Sequence, residues 1–142
     1  MKREKQTANE AARTAAKALL RLAAKAARRA YCPYSKYRVG AALRAKDGRV
    51  FTGCNVENAS YGLTMCAERV ALFAAVAAGC REFESLAVAG AGQKPAYPCG
   101  ACRQALAEFC GPDLPVYIGP AARPVEFETL RLGELLPKRF EL

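Results

Sequence analysis

The chain has 142 residues, 52% hydrophobic and 25% charged, which suits one globular domain and is short of two. It holds no His and no Trp but seven Cys, so a triad or metal site built on imidazole is excluded and acid/base work falls to Cys, Asp, Glu, Lys, Tyr or the backbone. The net charge of +9 is uneven, with nine Lys/Arg against two Glu in residues 1–30 and thirteen against eleven acidic residues in 31–142.

Residues 7–30 lack Gly and Pro and are rich in Ala, which predicts a helix. Leu19, Leu22, Ala23 and Ala26 recur at helical spacing and give it an apolar stripe. Pro33 ends it, and the charged residues 1–6 are expected to fray. The basic excess reads as a solvated helix face. With no aromatic residue in this segment to stack on a base, a nucleic-acid partner is not expected. Glu4, Glu10 and the lack of Ser speak against a mitochondrial presequence.

Residues 39–45 read as a strand, Lys46-Asp47-Gly48-Arg49 as a hairpin turn and 50–56 as the partner strand, because Asp-Gly supplies the positive φ the turn needs. A helix over 66–78 stops at Gly79, a short strand covers 85–89, and 90–98 is a loop. Residues 100–109 form another helix closed by Cys110-Gly111-Pro112. Strands at 116–118 and 125–127 and a helical turn at 132–136 complete the chain. Alternating strands and helices predict an α/β sheet covered by helices. The longest apolar run, 70–80, is too short to cross a bilayer, and no membrane association is expected. Being apolar almost all round, it predicts a helix covered on one side by the domain and on another by a second subunit. An odd Cys count without a recognisable signal peptide predicts reduced thiols and a cytoplasmic location.

Three cysteines stand apart: Cys66 in Cys66-Ala67-Glu68, and the pair in Pro98-Cys99-Gly100-Ala101-Cys102. A C-x-x-C pair puts two thiols on one turn, and Cys66 can supply a third metal ligand. Three ligands leave one position open for a water, as in a catalytic zinc site, whereas a structural zinc takes four. Cys32, Cys54, Cys80 and Cys110 lack ligand spacing and read as buried hydrophobes. A redox pair is the other reading of the C-x-x-C, disfavoured by the upstream Cys-x-Glu. Both ligand segments fall where loop passes into helix, where the positive end of the macrodipole favours thiolates. Three thiolates weaken zinc as a Lewis acid, so Arg69 and Arg103 are expected to donate to the ligand sulfurs. Glu68 is placed to take a proton from a bound water and pass it on.

With these residues the chain resembles the small cytidine deaminases of pyrimidine salvage, the zinc-dependent homotetrameric class whose signature is Cys-Ala-Glu followed by Pro-Cys-x-x-Cys. Further blocks follow in the family's order: Tyr34-Ser35-Lys36-Tyr37, Val39-Gly40-Ala41-Ala42-Leu43, Gly53-Cys54-Asn55-Val56-Glu57-Asn58-Ala59, Cys102-Arg103-Gln104 and Leu135-Leu136-Pro137. The likeness covers about residues 19–140, which makes 1–18 a basic arm with the start of the first helix and 19–142 the deaminase domain.

The resemblance implies a three-layer α-β-α fold on a mixed sheet of about five strands, one zinc per chain, and a homotetramer with shared active sites. It implies hydrolytic deamination of cytidine and deoxycytidine to uridine and deoxyuridine plus ammonia, with Glu68 as both base and acid. Carried over by position, Asn55 and Glu57 would bind the ribose hydroxyls, the Ala67 N–H the pyrimidine carbonyl, and Tyr37 the face of the base. Tyr61 and Phe140 would reach into a neighbouring subunit's site. The chain ends two residues after Phe140, where relatives commonly run on. A deaminase for a cytosine-containing nucleoside antibiotic and a structural zinc-binding module are the alternatives. A nucleic-acid editor is not expected, since those usually carry His at the first ligand position.

Overall fold

The computed structural model describes residues 1–142. In chain order it contains α1 (Lys2–Ala27), β1 (Val39–Ala45), β2 (Val50–Cys54), one 3₁₀ turn (Tyr61–Leu63), α2 (Ala67–Ala77), β3 (Phe83–Gly90), α3 (Gly100–Phe109), β4 (Pro115–Pro120), β5 (Glu128–Arg131) and α4 (Leu132–Leu135). The strands form one sheet in the order β2-β1-β3-β4-β5, with β3 and β4 parallel and every other neighbour antiparallel.

The alternation of strand side chains sorts the core into two layers. Ala41, Leu43 and Ala45 of β1 and Leu86 and Val88 of β3 join Ala71, Leu72, Ala75 and Leu106 in the larger cluster, on the face covered by α2, α3 and α4. Ala42, Ala87 and Ala89 point the other way, onto Leu19, Leu20 and Ala23 of α1. This is the expected three-layer α-β-α arrangement on a mixed five-stranded sheet. Small residues let both helices lie close to β1 and β2. A Cβ on Gly40 would run into the Ala23 carbonyl oxygen of α1, and one on Gly53 into the Ala67 carbonyl oxygen of α2. Gly53 therefore fixes the seat of the turn that follows Cys66.

Each helix C-terminus is tied by arginine. Arg38 donates to the Arg28 carbonyl after α1, Arg81 to the Val76 carbonyl of α2, Arg139 to the Cys110 carbonyl after α3, and Arg103 to the Leu135 carbonyl of α4. These carbonyls have no partner within the helix, and a cation there also opposes the negative end of the macrodipole.

The sequence expectations need correcting in several places. Leu22 is 38% exposed and Leu20 takes its place on the buried stripe of α1, while the strands expected at 85–89 and 116–118 run over 83–90 and 115–120 as pairing extends them. Residues 2–6 are helical rather than frayed: the Thr7 hydroxyl donates back to the Arg3 and Glu4 carbonyls, and Glu4 pairs with the terminal ammonium at 3.4 Å. The helix stops at Ala27, because residues 28–30 tighten into bonds to the third residue back ahead of Pro33. Strand β2 ends at Cys54, beyond which the Asn55 side chain, in place of a strand, receives the Val39 N–H. The last strand is 128–131, not 125–127, since turns at Arg123 and Glu126 use those residues and Phe127 packs edge-on to Tyr117.

Candidate active site

The N-termini of α2 and α3 converge. Cys66 is the N-cap of α2 and Cys99 the N-cap of α3, and neither spends its side chain on capping, so the thiols remain available while the first-turn N–H groups face the same space. Cys102 stands in the first turn of α3 and is fully buried. Cys66 and Cys99 Sγ are 3.7 Å apart, and all three sulfurs lie within 4.8 Å of one another. No fourth Cys, Asp or Glu joins the cluster. Of the other thiols, Cys32, Cys80 and Cys110 are buried and Cys54 is half-buried.

Charge gathers at this point. Hydrogen bonding from the Cys102 thiol, then from Arg69 and Cys99, holds Cys66 down at about 5, so Cys66 carries the negative charge. Cys102 is pushed up by the same bond to Cys66 and by burial, and keeps its proton. Arg69 Nη2 donates to Cys66 Sγ at 3.6 Å. Arg69 Nε is the one buried side-chain nitrogen or oxygen left without a partner, so the guanidinium has donor capacity to spare beside the sulfurs. Three soft donors in a tight triangle, one already ionised and backed by an arginine, fit a zinc ion with one open coordination position.

Glu68 lies two residues beyond Cys66 and is only 4% exposed. Burial, reinforced by the neighbouring Cys66 charge, pushes its carboxyl up to about 7. A carboxyl poised there can hold or release a proton near neutrality. Ala67, the first residue of α2, is fully buried, with its N–H among the donors that the helix itself cannot satisfy.

The other expected residues are placed as follows. Asn55 Oδ1 accepts from the Val39 N–H at 2.9 Å, and Nδ2 donates to the Tyr37 carbonyl at 2.8 Å. Glu57 Oε1 accepts from the Tyr34 and Ser35 N–H groups, both at 3.1 Å, so both side chains meet the 34–39 segment. The Ser35 hydroxyl and these N–H groups hold the Glu57 carboxyl below the usual range. Tyr37 packs its ring against Gly90 and Gly92 and donates its hydroxyl to the Lys94 carbonyl. Tyr61 is 76% exposed and edge-on to Tyr34, and Phe140 is 70% exposed. Arg103 departs from expectation: it donates to the Pro98 and Leu135 carbonyls at 2.6 and 2.7 Å rather than to a sulfur. Its fork is used in fastening the Pro98 turn and α4 to α3.

Sequence reasoning gave no role to Gln104 or Arg139, which bind the tail to α3, nor to the bond from the Tyr97 hydroxyl to Glu128. Only Gln104 carried a signal, its place in the Cys102-Arg103-Gln104 block.

Comparison with known proteins agrees with this geometry. Residues 13–118 match the family described as "Cytidine and deoxycytidylate deaminase zinc-binding region". The chain is 50% identical over 116 residues to a cytidine deaminase of Sporosarcina psychrophila, covering 82% of this chain and 84% of that one. It is 48% identical over 122 residues to a cytidine deaminase of Halalkalibacterium halodurans, with 86% and 91% coverage. The crystal structure of cytidine deaminase from Burkholderia pseudomallei superposes with a TM-score of 0.81 at 50% identity, covering 87% of this chain and 97% of that one. The protein, with its thiol triangle and buried glutamate, belongs to the cytidine and deoxycytidylate deaminase family.

Proposed function

We propose that the protein is a zinc-dependent cytidine deaminase, hydrolysing cytidine and deoxycytidine to uridine and deoxyuridine with release of ammonia. The observation that carries this is the three-sulfur triangle at two helix N-termini with Glu68 buried beside it. Cys66, Cys99 and Cys102 would hold one zinc per chain, which supplies the Lewis acidity that makes a water nucleophilic near neutral pH. Glu68 takes one proton of the water that attacks C4 and delivers it to N3 of the pyrimidine, then takes the proton of the new C4 hydroxyl and passes it to the amine, which departs as the C4–N bond breaks and the C4 carbonyl forms. Arg69 draws electron density from Cys66 and so limits the loss of acidity that three thiolates cause.

The Ala67 N–H is assigned to the pyrimidine carbonyl, Tyr37 to the base, and Asn55 and Glu57 to the ribose hydroxyls. The ionised Glu57 carboxylate at the sugar end favours a nucleoside over a nucleotide, whose phosphate it repels. The 34–39 segment, which both Asn55 and Glu57 grip, would be ordered together with the sugar.

Residues 19–142 would form the deaminase domain and 1–18 the arm. The assembly would be a cytoplasmic homotetramer with shared sites. Supporting this, Phe73, Ala74 and Ala77 leave one face of α2 exposed, and a cavity of about 430 Å³ opens beside it between α1, β2 and α2, lined by Leu22, Ala26 and Val70. No helix is long and apolar enough to cross a membrane. The cluster's arrest at three ligands speaks against a purely structural zinc.

An ultraviolet assay across cytidine, deoxycytidine, CMP, a cytosine-containing nucleoside antibiotic and single-stranded oligonucleotides tests the assignment. Turnover of the two nucleosides is expected. Action confined to oligonucleotides or to the antibiotic overturns it.

A further inference from the structure

Phe140 is anchored and unburied at once. Gln104 Nε2 donates to its carbonyl at 3.1 Å while Gln104 Oε1 accepts from its N–H at 3.2 Å, so one amide side chain grips both main-chain groups of a single residue. The residue before it is held too, as Arg139 Nη1 donates to the carbonyls of Cys110 and Ala107 at 3.0 and 3.4 Å. Ordering the last residues of a chain costs conformational entropy, commonly offset by burying a side chain. Here the residue stays 70% exposed and gains little from its own chain.

Holding both backbone groups fixes the direction in which the Cβ leaves, so the ring is aimed outward from a rigid base. A primary amide suits this grip because it offers a donor and an acceptor side by side, matching the N–H and C=O edge that a strand offers its neighbour. The base is α3, the helix whose first turn carries Cys99 and Cys102. One helix thus sets both this chain's thiol pair and the ring this chain presents outward.

We propose that Gln104, aided by Arg139, is a positioning residue that aims Phe140 into the substrate site of a second copy of this chain. The inference rests on the reading above that Phe140 contributes to a neighbour's site.

A double-mutant cycle on the assembled enzyme tests it. Phe140→Ala is expected to raise KM for cytidine. Gln104→Ala should raise KM at least about fivefold, the lower bound of what two hydrogen bonds are worth, with kcat within about twofold and zinc content unchanged. In the Phe140→Ala background the Gln104→Ala change should add almost nothing, since the ring it aims is gone. Additive effects, or a Gln104→Ala enzyme that loses kcat or zinc while keeping KM, would show Gln104 to be only structural and overturn the proposal while leaving the role of Phe140 standing. A silent Phe140→Ala variant removes the reading of Phe140 and the proposal with it. Should Gln104→Ala not fold, Arg139→Ala, whose bonds go to Ala107, Cys110 and Glu141 and to none of Cys66, Cys99 and Cys102, enters the same cycle: a KM effect that vanishes without the Phe140 ring supports the proposal, and an additive one overturns it.

Discussion

Glu68 is a carboxyl held out of water at the start of a helix, beside a thiol that already bears charge. Replacing it with Gln keeps the shape and removes the ionisable group. Glu68→Gln is therefore expected to lower kcat at least about a thousandfold, within the range of general acid/base effects, while zinc content and melting temperature stay near those of the parent. Retained turnover would reject its role in moving the proton. Cys110 offers a test unconnected with zinc. Burial raises its thiol from 9.0 to about 11. The folded state thus keeps a proton that the unfolded chain releases, so its contribution to stability is intact below pH 9 and fades as pH rises toward 11. Melting temperature should fall more steeply across that window in the parent than in Cys110→Ala, and equal slopes would show that the thiol is not desolvated. The thiols and Glu68 are legible in the sequence because their chemistry imposes short, fixed spacings along one or two helical turns. Arg103 is not, because its partner, the Leu135 carbonyl, lies 32 residues away and a carbonyl leaves no mark in a sequence.

At the scale of elements, the hairpin strand β1 and helix α3 match the sequence reading residue for residue, since an Asp-Gly hairpin turn and a Pro-bounded apolar period are local signals. The β5 boundary was not legible, because it is set by pairing to β4 and by Phe127 turning onto Tyr117. Nor could the sequence tell that Gly53 is a seat for α2, a contact visible only once strand and helix are side by side. Gly53→Ala would drive a methyl against the Ala67 carbonyl and against the Ala71 nitrogen, 2.6 Å away, both backbone atoms that cannot swing aside. Overpacking of this kind costs about 1–3 kcal/mol. The variant is expected to melt several degrees lower and to bind zinc more weakly, since the displaced turn follows Cys66. Thermal unfolding with metal analysis checks both, and an unshifted Tm with full zinc would show that α2 can move without loss.

For the whole molecule, the excess of positive charge divides by role. Residues 2–15 of α1 are exposed throughout, and the family match begins only at residue 13. Deleting residues 2–12 is expected to leave kcat/KM for cytidine within twofold and to cost only helical circular dichroism. A larger loss would give the arm a part in the site. Light scattering should report about four times the 15.2 kDa chain mass, through the exposed face of α2. A monomer with full activity would reject shared sites. In the rest of the molecule four arginines, Arg38, Arg81, Arg103 and Arg139, each close a helix end. Lysine, a point charge without the planar fork, would not reproduce these bonds. A dicarbonyl reagent that condenses with guanidinium groups would therefore loosen all four helices as it reacts, including the two that bear the thiols. Inactivation by such chemistry would track accessible helix ends as much as Arg69, so protection by a bound nucleoside would register as shielding of the fold rather than of one catalytic arginine.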